Sequence, residues 1–262
     1  MTTPVESPPG DELLAERVGR VLVLTLNRPE NLNALNPPLM WALNGALQEA
    51  AADRAAGAVV ITGAGRGFCA GGDMKRRARA DAEKSGETSA GSSTAFNFEG
   101  EASFLRRAGE NARLLFDMPK ATIAMINGPC AGAGLNLAGA CDFRFAAASA
   151  VLLTAFHQID APGDYGGPWL WSRLLGQAKA RELFLLGERF GAREALAFGL
   201  VNRVFDDDRL REETMAIADR LSRKPSIRHL KANFRAAEHL PFPQYLEFEA
   251  ANQVRNRFSR ES

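Results

Sequence analysis

The sequence has few of the residues that metal centres, disulfide frameworks and strongly charged surfaces require. Its 262 residues include three cysteines, three histidines and two tyrosines. Basic and acidic side chains number 32 and 31, so no charge excess would attract nucleic acid. The apolar runs are interrupted by Gly, Asp or Arg and fall well short of the roughly 20 residues of a membrane span. We therefore expect no metal site, no membrane-spanning helix and no nucleic-acid partner.

The cysteines are odd in number and form no C-x-x-C pair. Cys69, Cys130 and Cys141 lie in apolar surroundings, which is typical of buried core residues in a reducing compartment. The alternative, a nucleophilic Cys69, requires a basic partner that the sequence does not identify. The N-terminal residues are acidic and Pro-rich and lack the basic and apolar regions of a secretory signal. Together these features predict a cytoplasmic protein.

Strand-like and helix-like segments alternate along the chain, which predicts an α/β fold. Residues 1–16 are predicted to form a flexible tail, residues 17–205 the core and residues 206–262 a helical C-terminal region. Within the core, residues 76–103 are small, polar and charged, so we expect a mobile loop there, with a helix starting near Phe104. Predicted strands cover Val21–Leu26, Ala58–Thr62, Ala121–Ile126, Phe143–Ala146, Val151–Leu153 and Val201–Phe205.

Two glycine-rich segments follow predicted strands, Ala70–Asp73 and Gly132–Gly134. Neither matches a P-loop or a dinucleotide fingerprint, and no G-x-S-x-G nucleophile elbow is present. Residues with almost no side chain let backbone N–H groups approach a ligand closely. Two such groups from separate segments would form an oxyanion hole. The alternative is that these glycines serve only tight turns and close packing.

Four segments, in order, resemble the crotonase family, also called the enoyl-CoA hydratase/isomerase family. They are Leu26–Leu35 (LNRPENLNAL), Ile61–Lys75 (ITGAGRGFCAGGDMK), Ile126–Ala146 (INGPCAGAGLNLAGACDFRFA) and Ala180–Val204 (ARELFLLGERFGAREALAFGLVNRV). The resemblance extends over roughly residues 17–258. It implies a spiral of ββα turns with a helical C-terminal trimerisation region, and a homotrimer or dimer of trimers.

The resemblance also implies a substrate and the residues that bind it. The substrate would be an acyl-CoA thioester of fatty or aromatic acid metabolism, with coenzyme A present only as part of that substrate and no separate cofactor. By position, the oxyanion-hole N–H groups fall on Gly72 and Ala133. The residues implied to line the coenzyme A pocket are Leu32, Ala34, Ala70, Asp73, Met74 and Lys75.

The sequence departs from the family pattern at both glutamates that hydratases use. Those positions fall on Asn136 and Phe156, so hydration by two glutamates is not expected. Asn136 is instead a candidate for binding a carbonyl or orienting water. Asp164, eight residues after Phe156, occupies the position of a proton-shuttling aspartate in dienoyl-CoA isomerases and of a nucleophilic aspartate in 4-chlorobenzoyl-CoA dehalogenases. A helix N-cap is the structural alternative for Asp164.

These features predict double-bond isomerisation or a related proton transfer on an unsaturated acyl-CoA. Gly72 and Ala133 would stabilise an enolate, and Asp164 would be the acid/base. Three alternatives remain: Asp164 as nucleophile in dehalogenation or hydrolysis, an atypical hydratase, or a non-catalytic acyl-CoA binder. Phe156 and Tyr165 are further candidates for contact with the substrate, and Asp160 is a weaker acid/base candidate.

A basic helix face near the C-terminus has two interpretations. Lys224, Arg228, Lys231 and Arg235 follow a helical spacing, which indicates either a solvated face or a site for coenzyme A phosphates. The family's longer C-terminal helix, which often closes over the pocket, is expected to be missing. The sequence therefore does not identify the residues that bind the coenzyme A phosphates.

Overall fold

The computed structural model describes residues 2–4, 12–73 and 97–258. A seven-stranded sheet runs through it in the order β1-β2-β3-β4-β5-β7-β10. Its first three strands are antiparallel neighbours, and β3 onward pair in parallel. The strands are β1 (Thr2–Pro4), β2 (Leu13–Val18), β3 (Val21–Leu26), β4 (Ala58–Gly63), β5 (Ala121–Ile126), β7 (Phe143–Ala147) and β10 (Arg203–Phe205).

The central strands form the core because their sequences are continuously apolar. All six residues of β4 and all six of β5 are buried, as expected for parallel strands that are covered on both faces. The described helices are α1 (Pro37–Ala52), α2 (Phe98–Asp117), α3 (Ala133–Gly139), α4 (Gly167–Leu175), α5 (Gln177–Leu186), α6 (Ala192–Ala197), α7 (Leu210–Ser222), α8 (Ile227–Ala237) and α9 (Phe242–Phe258). The predicted α/β class and the helical C-terminal region are confirmed.

A second, three-stranded sheet positions the loops that follow the core strands. It consists of β6 (Cys130–Ala131), β8 (Val151–Leu153) and β9 (Phe190–Gly191). Strand β6 pairs with β8 in parallel, and the N–H of Gly132 donates to the Leu153 carbonyl over 3.0 Å. The chain therefore leaves β6 in a fixed direction and enters α3 at once.

Two predicted boundaries are wrong. The segment predicted as a tail contains β1 and the start of β2, because Leu13 pairs with Leu26 and lies fully buried against the core. The helix predicted near Phe104 begins at Phe98, where the Asn97 side chain caps it by accepting the Gly100 N–H. Residues 76–96 of the predicted loop lie outside the described residues.

The basic face predicted near the C-terminus does not form as a solvated row. Lys231 on α8 is buried, and its Nζ lies 2.8 Å from the Asp142 carboxylate. Arg235 is directed toward Asp117, with which it forms a longer ion pair. Lys224 precedes α8 and is not part of it. Among the described helices, none is long and apolar enough to cross a membrane.

Candidate functional site

The two glycine-rich segments lie side by side. Cys69 and Cys130 form a parallel bridge, and the Ala131 N–H donates to the Cys69 carbonyl over 2.9 Å. Gly71 is so close that a Cβ placed on it would lie 3.0 Å from the Ala131 oxygen and 3.4 Å from the Ala133 nitrogen. Its φ of +95° also favours glycine. The predicted convergence of the two segments is present in the fold.

Each segment contributes one backbone N–H that has no acceptor among the described residues. Neither the Gly72 nor the Ala133 N–H donates a hydrogen bond within the part of the chain that the structure describes. Ala133 is the first residue of α3, so its N–H has no carbonyl one turn earlier. Gly72 is held by its neighbours, because Leu35 donates to the Gly71 carbonyl and accepts from the Asp73 N–H. Two free donors on adjacent segments are the requirement for binding a developing oxyanion.

Asp164 lies in the loop before α4 with an unsatisfied carboxyl. Its side chain is half-buried, and Oδ1 is buried without a hydrogen-bond partner among the described residues. Desolvation raises the pKa of this carboxyl to about 6. The capping interpretation is wrong, because Gly166 is the N-cap of α4 and no side chain caps that helix. The carboxyl is therefore available for chemistry.

Cys69 connects Asp164 to the glycine segments. A Cβ placed on Gly134 would lie 2.7 Å from the Cys69 Sγ, so this thiol packs directly under the start of α3. The Asp164 carboxylate is close enough to raise the pKa of the same thiol, although burial is the larger cause. The carboxyl thus lies near a thiol that packs against the Gly132–Gly134 segment.

Cys69 itself is not a nucleophile. Burial raises its pKa to about 12, so the thiol is protonated at physiological pH. Cys130 and Cys141 are also buried and free, which confirms the prediction of core cysteines. Within the described residues, no group of His, Cys, Asp and Glu side chains has the arrangement of a metal site.

The interpretation of Asn136 as a group that contacts substrate is corrected by its contacts. Its side chain is completely buried, with Oδ1 accepting from Trp171 Nε1 at 2.7 Å. Its Nδ2 donates to the Asp164 backbone carbonyl at 2.9 Å. Both ends of the amide are therefore engaged with protein, and Asn136 is a positioning residue for the Asp164 loop.

Phe156 and Tyr165 are both buried near this loop. The Phe156 ring stacks on Phe184 with centroids 5.9 Å apart, so it forms part of an apolar wall. A Cβ placed on Gly163 would lie 3.9 Å from that Phe184 ring, so the two stacked rings lie next to the residue that precedes Asp164. Tyr165 is buried with a free hydroxyl. Asp160, the weaker acid/base candidate, is exposed.

The predicted coenzyme A wall is described as far as Asp73. The Ala70 N–H donates to the Leu32 carbonyl over 2.9 Å, which joins two of the predicted pocket residues. Arg28 donates to the Ala34 carbonyl and, over 2.9 Å, to the Asp73 carboxylate. Met74 and Lys75 lie outside the described residues.

The model of the enoyl-CoA hydratase/isomerase family matches residues 16–261. The chain belongs to this family. A curated relative, 1,2-epoxyphenylacetyl-CoA isomerase from Escherichia coli K12, is 35% identical over 79% of this chain and 74% of its own length. A protein named "Probable enoyl-CoA hydratase" from Rhodobacter capsulatus is 36% identical over 88% of this chain and 84% of its own.

Solved structures of the family share the fold. An enoyl-CoA hydratase from Polaromonas sp. JS666 superposes with a TM-score of 0.83 at 33% identity, covering 93% of this chain and 91% of the other. An enoyl-CoA hydratase from Bacillus anthracis gives a TM-score of 0.83 at 28% identity, covering 93% and 90%. The fold expected from the four sequence segments is confirmed.

Within this member of the enoyl-CoA hydratase/isomerase family, sequence reasoning missed three contributors to the site. Arg28 ties the Leu32–Ala34 segment to Asp73, and Trp171 orients the Asn136 amide. Asn111 on α2 approaches the Tyr165 hydroxyl. Arg28 belongs to the segment LNRPENLNAL, which the sequence analysis identified, but the sequence does not show which residues Arg28 contacts. Trp171 and Asn111 act through contacts that no local pattern indicates.

Proposed function

We propose that this enzyme isomerises a double bond in an unsaturated acyl-CoA thioester. The observation that carries the proposal is the Asp164 carboxyl, which is half-buried, unpaired at Oδ1 among the described residues and held in a loop that Asn136 ties to the helix starting at Ala133. In this mechanism Asp164 removes a proton from one carbon of the acyl chain and returns it to another. The family assignment supports an acyl-CoA substrate.

The oxyanion donors lower the barrier to the first proton transfer. The Gly72 and Ala133 N–H groups would hydrogen-bond the thioester oxygen as negative charge develops on it. Removing one such donor typically costs about 10²–10³ in rate. The enolate formed in this way spreads its charge over the unsaturated chain, which allows protonation at a more distant carbon.

The pKa of Asp164 suits both halves of the reaction. With a pKa of about 6, the carboxyl is mostly ionised at neutral pH and can accept a proton. It is also a stronger base than an ordinary aspartate, because desolvation disfavours its charged form. A single carboxyl that cycles between both states is sufficient for isomerisation, since no water is added.

The side chains at the two positions where hydratases have glutamates do not support hydration by two carboxylates. Asn136 is buried between Trp171 and Asp164, and Phe156 is stacked on Phe184. Neither group exchanges protons. The name of the Escherichia coli relative, an isomerase, agrees with this proposal.

Proton exchange provides the direct test. Incubation of a 3-enoyl-CoA with the enzyme in deuterated water should place deuterium at carbon 2 and in the isomerised product. Asp164→Asn should reduce both by about 10²–10⁴-fold, in line with the contribution of a general base. Asp160→Asn is a matched control, because Asp160 is exposed four residues earlier and its left-handed backbone (φ 50°) tolerates asparagine.

The outcomes also separate the alternatives. An Asp164→Asn variant with wild-type exchange would contradict the proposal. Single turnover in H₂¹⁸O that labels the Asp164 carboxylate first would indicate a nucleophilic aspartate. Tight acyl-CoA binding without turnover by the wild type would indicate a binder.

Assembly into a trimer or a dimer of trimers belongs to the same proposal. The C-terminal helices expose large apolar side chains, which an oligomer interface would cover. These are Leu230 and Phe234 on α8 and Phe242, Leu246, Val254 and Phe258 on α9. Light scattering coupled to gel filtration should give three or six times the 28.3 kDa chain mass, and a monomer would contradict this part.

A further inference from the structure

The hydroxyl of Tyr165 is a second polar group in the site without a partner. Tyr165 is 6% exposed, and its oxygen is buried with no hydrogen-bond partner within the described ranges. The neighbouring residue, Asp164, presents the unpaired Oδ1. Buried polar groups are almost always hydrogen-bonded in native proteins, so two adjacent exceptions indicate a site for a polar ligand.

The backbone holds this side chain in an uncommon conformation. Tyr165 has φ 48° and is followed by Gly166 with φ 72°, whereas bulky residues seldom adopt a positive φ. The Asp164 carbonyl on the other side is fixed by the Asn136 amide. Such strained positions persist where the surrounding structure determines them, and they concentrate at functional sites.

The Tyr165 hydroxyl lies within electrostatic reach of both the Asp164 carboxyl and the Cys69 thiol, which packs under the start of α3. Burial and the nearby Asp164 charge raise the pKa of the phenol well above its usual value. The hydroxyl is therefore protonated throughout the physiological range and acts as a donor.

The nearest protein alternative is the Asn111 side chain. The Asn111 side chain approaches the hydroxyl closely enough to lower the pKa of the phenol, but the contact does not have the distance and angles of a well-formed hydrogen bond. Its own amide donates to the Met40 carbonyl at 3.1 Å and accepts from Asn44 at 3.2 Å. Asn111 is thus engaged on α1 and leaves the hydroxyl to another acceptor.

From this arrangement we propose that Tyr165 donates a hydrogen bond to an oxygen on the acyl chain of the substrate. The preferred substrates would be acyl-CoA thioesters that carry a hydroxyl, keto or epoxide oxygen close to the carbons served by Asp164. The inference rests on the proposed function, because it places the same acyl chain beside Asp164. A site that hydrogen-bonds a substrate oxygen discriminates strongly against analogues that lack it.

The test compares two substrates that differ by one oxygen. The probes are 3-hexenoyl-CoA and 5-hydroxy-3-hexenoyl-CoA, assayed with the wild type and Tyr165→Phe. We expect the variant to lower kcat/KM for the hydroxylated probe by roughly tenfold or more, the value of one lost hydrogen bond. For the plain probe, which has no oxygen for Tyr165 to bind, kcat/KM should fall by a clearly smaller factor, so that the ratio of the two kcat/KM values changes. Tyr245→Phe, the matched control on α9, removes a hydroxyl that donates to Glu249 and should change neither value.

Each other outcome overturns the inference. An equal fall for both probes would mean that Tyr165 supports the fold of the site, and thermal unfolding of Tyr165→Phe would then show a loss of stability. No change for either probe would mean that the hydroxyl donates to bound water or to Asn111. If Asp164→Asn is active, the proposed function fails. The Kd values of the two probes for the wild type and Tyr165→Phe then still test the Tyr165 hydrogen bond, so failure of the proposed function and failure of this inference can be told apart.

Discussion

The Asn136 amide connects the Asp164 backbone to the buried ring of Trp171, with hydrogen bonds of 2.9 Å and 2.7 Å. Asn136 lies one turn after Ala133 on α3, so the loop that carries the carboxyl is attached to the helix that supplies one free N–H. This contact replaces the side chain that a two-glutamate hydratase would use. It also predicts how the site responds to substitution.

The first prediction concerns Asn136. Asn136→Ala should lower the free energy of unfolding by about 2–4 kcal/mol, because Trp171 Nε1 and the Asp164 carbonyl both lose a buried partner. It should also lower kcat/KM by displacing the carboxyl. Chemical denaturation and the deuterium-exchange assay measure the two effects.

Trp171→Phe is the matched control for this prediction. It removes the Nε1 donor and part of the buried indole ring, and it leaves the Asn136 bond to Asp164 in place. We expect a loss of stability of about 2–4 kcal/mol, from the lost hydrogen bond and the cavity together, with a nearly unchanged pH profile. If Trp171→Phe reduced kcat/KM as much as Asn136→Ala, the positioning role would be wrong.

The second prediction is the pH dependence of activity. Proton abstraction requires the ionised carboxylate, so kcat/KM should rise with pH and level off above an apparent pKa of about 6. Asp164→Asn should be slow at every pH and show no such transition, whereas Asp160→Asn should keep the profile. A transition that persists unchanged in Asp164→Asn would assign it to another group.

The third prediction is that removing the Asp164 charge stabilises the protein. The carboxyl has a pKa of about 6 when folded and about 3.9 when unfolded, so folding favours its protonated form. That contribution is fully present below about pH 4 and is lost as pH rises through about 6. At pH 8, Asp164→Asn should therefore raise the free energy of unfolding by about 1–3 kcal/mol.

Denaturation at two pH values checks this sign. The gain should be clear at pH 8 and nearly absent at about pH 3, where the wild-type carboxyl is mostly neutral in both states. A variant that is less stable than the wild type at pH 8 would show that the ionised carboxyl has a stabilising partner.

The fourth prediction concerns Arg28. Its guanidinium contacts Asp73, Glu12 and the Ala34 carbonyl, with the Arg28 and Asp73 side chains both largely buried. Arg28→Ala should cost about 2–4 kcal/mol, because it removes the cation that pairs with the Glu12 and Asp73 carboxylates. It should also raise KM for acyl-CoA, since Ala34 and Asp73 are on the predicted coenzyme A wall.

A double-mutant cycle isolates the ion pair. Arg28→Ala and Asp73→Asn should show a coupling energy of about 1–2 kcal/mol in unfolding experiments. Additive effects, within about 0.5 kcal/mol, would mean that the two side chains act independently.

The fifth prediction is that the native cysteines are unreactive. Cys69, Cys130 and Cys141 are buried, and the pKa of each thiol is raised by desolvation. Titration with a disulfide reagent at pH 8 should label none of them in the folded protein and all of them in denaturant. Rapid labelling of one thiol in the native state would contradict the assignment of these residues to the core.

Most of the core followed from local sequence patterns. The strands Val21–Leu26 and Ala121–Ile126 were predictable because continuous apolar runs between turn residues form buried strands. The convergence of the glycine segments was predictable from their place after two such strands. The pairing of Leu13 with Leu26 was not, since it depends on a neighbouring strand rather than on residues 1–16 themselves.

The site was predictable in its residue types and less so in its contacts. Asp164 was identified by position, but its unpaired Oδ1 depends on burial, which the sequence does not specify. Asn136 was misjudged because its partner Trp171 lies 35 residues away. Lys231 was counted with a basic face for the same reason, since Asp142 pairs with it across 89 residues.

The close approach of Gly71 to Ala131 and Ala133 has a consequence for motion during turnover. Ala133 and Asp164 are joined through Asn136 into one rigid unit, whereas Gly72 belongs to the neighbouring segment. A small sliding of one segment along the other would therefore weaken the hydrogen bond from Gly72 to the thioester oxygen and leave the one from Ala133 in place. The position of the Asp164 carboxyl relative to the Ala133 N–H would stay the same. Product release would then weaken one hydrogen bond to the thioester without displacing the acid/base group.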